Sequence, residues 1–72
     1  MTKMQAISDP VQHARDIRAM LMDVVQHARA VIPEVDEPRA CALFETTAEV
    51  VLGLTKAFED FEQGREAAWR RT

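Results

Sequence analysis

Tyrosine is absent from this sequence, glycine occurs twice, proline three times and cysteine once. With Cys41 as the single thiol, no disulfide can close within the chain, and a lone thiol suits a reducing compartment. No window approaches the ~20 apolar residues of a membrane span, and the opening MTKMQAISD holds no apolar signal-peptide core. These absences predict a cytoplasmic protein with no membrane segment. An excess of positive charge is missing too. Lys and Arg number 9 against 12 Asp and Glu, net −3, which opposes a nucleic-acid partner, since such partners leave a basic footprint. Nor does any run of β-branched residues alternate with period two, so strands are not expected.

What is present is helical patterning in a chain of 72 residues, 47% hydrophobic, enough for one globular domain over 1–72 and no more. A single core of that size supplies only a few kcal/mol, and chains this small often gain stability by oligomerising. The first eight residues read as a flexible N-terminus. A helix over about 9–32 opens at Asp9-Pro10, with aspartate as N-cap, proline in the first turn and Gln12 at capping-box spacing. Its apolar residues recur at steps of three and four, predicting a seam of Ala14, Ile17, Leu21, Val24, Ala28 and Val31. Pro33 ends it.

The turn, 33–37, is short. Asp36 or Glu37 can cap a second helix over about 38–70, with an expected seam of Ala40, Phe44, Thr47, Val51, Leu54, Phe58, Phe61 and Arg65. Gly53 interrupts that helix at about 1 kcal/mol, and Gly64 is followed by EAAWRR, which retains helical propensity. Two long helices joined by so short a turn pack antiparallel. The fold class expected is therefore all-α: an antiparallel two-helix hairpin.

Two heptads are nearly the same word, DPVQHAR at 9–15 and DVVQHAR at 23–29. Fourteen residues are two heptads, so each residue recurs in its twin's column, about 21 Å further along the axis. His13 and His27 therefore cannot share a metal ion. Asp9/His13 and Asp23/His27 are i,i+4 pairs that offer two ligands each, fewer than the three or four a site needs. No nucleophile is matched with a base. No cofactor, metal site or enzymatic activity is expected.

Apolar residues cover about half of each helix, more than the stripe of about 100° that one partner helix buries. The excess predicts a homodimer forming a four-helix bundle. Two arrangements are open. The first helices can pair antiparallel about Met20, bringing His13 of one copy to His27 of the other. Alternatively the second helices pair through Cys41, Ala48 and Leu52. Met20, Met22, Cys41, Ala48, Leu52, Trp69 and Arg70 are the candidate interface residues, Trp and Arg being types enriched at binding hot spots. Trp69 can instead fold back on Met4 and Ile7. Arg15, Arg18 and Arg29 are candidate polar contacts. They would reach phosphates or acidic side chains of a partner, or form a solvated face with Asp16, Asp23 and acids across the hairpin.

The run EPRACALFETTAEV at 37–50, the hairpin layout and the length resemble small hairpin proteins encoded by bacteria and their phages. Among these are phage-encoded anti-activators, which form helical-hairpin dimers and block a host quorum-sensing regulator of the LuxR type. The resemblance implies a homodimeric, non-enzymatic inhibitor of a partner protein. No binding motif matches residue by residue, so no functional position is carried over.

Overall fold

The computed structural model describes the backbone of residues 9–71 and the side chains of 9–64. It is an all-α helical hairpin. Helix α1 spans Pro10–Val31, a 3₁₀ turn follows at Ile32–Glu34, and helix α2 spans Pro38–Arg71. The residues expected to form the flexible N-terminus, 1–8, lie outside the described residues.

Each boundary has a local cause. Asp9 is extended, and its Oδ1 accepts from the amides of Val11 at 3.0 Å and Gln12 at 3.3 Å, satisfying two donors that have no helical acceptor. Gln12 does not complete the capping box. Its Nε2 donates forward to Asp16 Oδ1 at 2.9 Å, one turn along the helix. Pro33 cannot donate to the α-helical ladder, and the chain tightens into the 3₁₀ turn before Val35 turns extended. At the next helix the cap is Glu37 rather than Asp36: its Oε1 accepts from the Ala40 amide at 2.8 Å. Helix α2 continues through Gly64.

The packed seam runs in strict three-four steps on both helices. On α1 it is Val11, Ala14, Arg18, Leu21, Val25 and Ala28, continued by Ile32 of the 3₁₀ turn; on α2 it is Cys41, Phe44, Ala48, Val51, Thr55, Phe58 and Glu62. Every one of these positions is buried or half-buried. The core centres on Val25 (2% exposed), Ala28 and Ala48 (1% exposed), with Phe44 and Val51 against them. The duplicated heptad now has its explanation: it sets Val11 with Ala14, and then Val25 with Ala28, against the same neighbour.

The seam corrects the sequence expectation by one residue on half its positions. Ile17, Val24, Leu54 and Phe61 stand outside it, Leu54 at 46% exposed. Two apolar columns lie side by side on each helix, and hydrophobicity alone favours the bulkier one. The structure packs the column in which Arg18 meets Glu62 and the small Ala48 seats against Val25 and Ala28.

Candidate interaction surface

A hairpin has two flanks beside its seam, and here they are chemically unlike. On one, α1 sets Arg15, Met22 and Arg29 at seven-residue spacing, and α2 sets Glu45, Leu52 and Glu59. Opposite charges at facing flank positions are what antiparallel helix pairs use to hold register. Arg29 and Glu45 line a shallow polar depression with Glu49, Ile32 and Ala48.

A charged pair also enters the seam near the hairpin's open end. Arg18 Nε donates to Glu62 Oε2 at 2.9 Å and Nη2 to Oε1 at 3.0 Å, a two-pronged contact with good geometry. Arg15 Nε lies 3.8 Å from Glu62 Oε1, and Arg18 Nη1 lies 3.7 Å from Glu59 Oε2. Glu62 is 6% exposed. The hydrogen bonds from Arg18 hold its carboxyl below the usual carboxylate range, against burial, which acts the other way. Arg18 is raised in turn, first through the same hydrogen bonds. Two turns away from Glu62, buried Thr55 donates its hydroxyl to the Leu52 carbonyl at 2.6 Å. Among the described residues no buried side-chain nitrogen or oxygen lacks a partner.

The other flank carries no charge. It comprises positions 10, 13, 17, 20, 24, 27 and 31 of α1 and 40, 43, 47, 50, 54, 57 and 61 of α2, and none is Asp, Glu, Lys or Arg. Met20 is the outermost large side chain of its α1 columns at 59% exposed; Leu43 and Val50 are similarly open on α2. At the hairpin's open end the flank dips into an apolar groove of about 470 Å³, lined by Ile17, Ala57, Phe58 and Phe61 with Pro10, His13 and Ala14.

The expected interface residues divide between these surfaces. Met20 lies on the uncharged flank, Met22 and Leu52 on the charged one. Ala48 is in the hairpin's own core, and Cys41 is in the seam, its thiol donating to the carbonyls of Val35 at 3.4 Å and Ile32 at 3.8 Å. That corrects the second-helix interface through Cys41, Ala48 and Leu52: Ala48 packs on α1, Cys41 turns to the connecting turn, and Leu52 lies on the charged flank. The side chains of Trp69 and Arg70 lie outside the described residues. Of the candidate polar residues, Arg15 and Arg18 converge on Glu62, while Arg29 stands with Glu45 and Glu49. Glu62 escapes the sequence reading, although its three-four spacing from Thr55 and Phe58 and its height opposite Arg18 mark it.

Among the described residues no group of three or more His, Cys, Asp or Glu is placed to hold a metal ion. Nor is any described helix long and apolar enough to cross a membrane. Fold and surface together define a two-helix hairpin with one charged and one uncharged flank. Comparison with protein-family models, curated proteins and solved structures finds no match to the chain.

Proposed function

We propose that the chain is a non-enzymatic, cytoplasmic protein-interaction module: a helical hairpin that pairs with a second copy through its uncharged flank and acts by occupying a partner protein. The observation that carries this reading is the flank itself. Soluble monomers rarely leave a contiguous apolar face of this extent open to water. Among the described residues the buried hydrophobic ones are Ala14, Val25, Ala28 and Ala48, so a hairpin alone buries few large side chains. A four-helix bundle buries many more.

Self-pairing fits the electrostatics. An isologous contact sets a surface against its own image, so any charge near the axis would meet a like charge. The flank has none. In such a dimer the charged flank remains outward, with Met22 and Leu52 between arginines and glutamates, an apolar centre with a charged rim. That is the surface offered to a partner. An inhibitory role, with a LuxR-type regulator as target, rests on the resemblance alone.

The rival reading is a nucleic-acid-associated regulator using Arg15, Arg18 and Arg29 together with the C-terminal arginine tail, whose side chains lie outside the described residues. It is weakened by the ion pairs that turn Arg15 and Arg18 toward Glu62. Salt-sensitive retention on heparin would favour it. The protein-binding reading is tested with the dimeric wild type as bait and Leu52→Glu as control. The wild type is expected to retain a host protein that the variant releases; equal retention by both contradicts the assignment of the charged flank.

A further inference from the structure

Resting on the homodimer reading, we propose that the second copy lies antiparallel, with α1 against α1 and α2 against α2. The two-fold axis passes at Met20 and Leu54, and the two turns lie at opposite ends of the bundle.

The first argument is palindromy. Read along the uncharged flank of α1, Met20 has His13 and His27 seven residues to either side, with Ile17 and Val24 between. Reversal about Met20 takes His13 to His27 and brings Ile17 within one residue of Val24. An antiparallel pair therefore sets Met20 on Met20, His13 on His27 and Ile17 beside Val24, each contact made twice except at the axis. Methionine suits a self-contact because its flexible chain fills irregular space.

The second argument is size complementarity on α2. Reversal about Leu54 brings Thr47 level with Phe61, and Val50 and Leu43 within one residue of Ala57 and Gly64. Each larger side chain meets a smaller one, as a close-packed interface requires. A Cβ at Gly64 would meet nothing within 4 Å, so space stands open there.

The third argument is that the two centres lie at similar height. Ile17 and Ala57 line one groove, and Val25 and Ala28 pack on Ala48, which fixes the register of the two helices to within about one turn. One step inward on each helix brings Met20 to within about one turn of Leu54's height. A single axis therefore serves both helices. The flank is about 30 Å long and about 20 Å wide, on the order of 600 Å² in projection. That approaches the ~800 Å² per partner of a standard interface.

The fourth argument is charge at the ends. The turn carries Glu34, Asp36 and Glu37 against Arg39. With the turns at opposite ends, each lies beside the last turns of the other copy's α2, where Arg65, Arg70 and Arg71 outnumber Glu66. The alternative, turns at one end and α1 against α2, places two acidic turns side by side.

The test is disulfide trapping in the full chain, with Cys41→Ser to leave one thiol. Met20→Cys and, separately, Leu54→Cys are each expected to cross-link with themselves at least about tenfold faster than Met22→Cys on the other flank. The Leu54→Cys arm keeps the test decisive if Met20→Cys disturbs folding. A persistent dimer in which neither self-links, while a mixture of the two cross-links to each other, overturns the arrangement and leaves the homodimer standing. A monomer by sedimentation overturns both.

Discussion

Arg18 and Glu62, 44 residues apart in sequence, meet in a two-pronged hydrogen-bonded ion pair where the seam would otherwise be apolar. Removing one partner of a shielded pair costs more than the pair is worth, because the other is left without its counter-charge. Glu62→Gln and Arg18→Met should each lower the melting temperature, and the double variant should lose less than the sum of the two. Additive losses in that cycle would mean the contact contributes nothing measurable.

The same pair sets an acid limit. Glu62 is held below its ordinary value of 4.5, so its contribution is complete at neutral pH. It declines as the pH drops below about 4.5, where the unfolded carboxylate binds protons, and is gone beneath the folded-state value. Arg18 is raised above the usual guanidinium range, so its own loss falls outside ordinary alkaline conditions. Thermal melts from pH 7 to pH 3 should show a steeper decline for wild type than for Glu62→Gln. Parallel curves would contradict the assignment.

Ala48 tests the register of the seam. At 1% exposed and against Val25 and Ala28, it leaves no room for a larger side chain. Ala48→Leu should destabilise by about 1–3 kcal/mol through overpacking, read by chemical denaturation. A neutral or stabilising result would place Ala48 on an outer face.

Gly53 tests the opposite situation. It is exposed in the middle of α2, and a Cβ there would meet nothing within 4 Å. Gly53→Ala should stabilise by about 1 kcal/mol through helix propensity, seen as a higher denaturation midpoint at unchanged slope. A destabilised variant would mean that the outer face of α2 is covered by another backbone.

The hairpin is legible in the sequence because its punctuation is local. Asp9-Pro10, Pro33 and Glu37-Pro38 fix three boundaries within a residue or two, and the short turn leaves only an antiparallel return. The choice of seam is not local. Columns 17, 24, 31 and 18, 25, 32 both repeat every seven residues, as do 47, 54, 61 and 48, 55, 62. Ile17, Val24 and Leu54 win on hydrophobicity. The chain packs the other column, in which Arg18 finds Glu62 and Ala48 meets Val25, and this depends on the partner helix. Met20 emerges as an outward residue from either reading, whereas Ala48 and Cys41 turn inward once the seam rotates by one position.

The central claim is that the uncharged flank, and not the charged one, is covered by a second copy. Sedimentation of wild type, Leu54→Glu and Leu52→Glu at micromolar concentration tests it most directly. Leu54 and Leu52 are both large, exposed and on the same helix, but they lie on opposite flanks. Wild type and Leu52→Glu should sediment at twice the 8.2 kDa chain mass, and Leu54→Glu as a monomer, because the substitution sets two carboxylates together at the axis. A folded wild-type monomer, or a dimer that survives Leu54→Glu and dissociates with Leu52→Glu, would contradict the account.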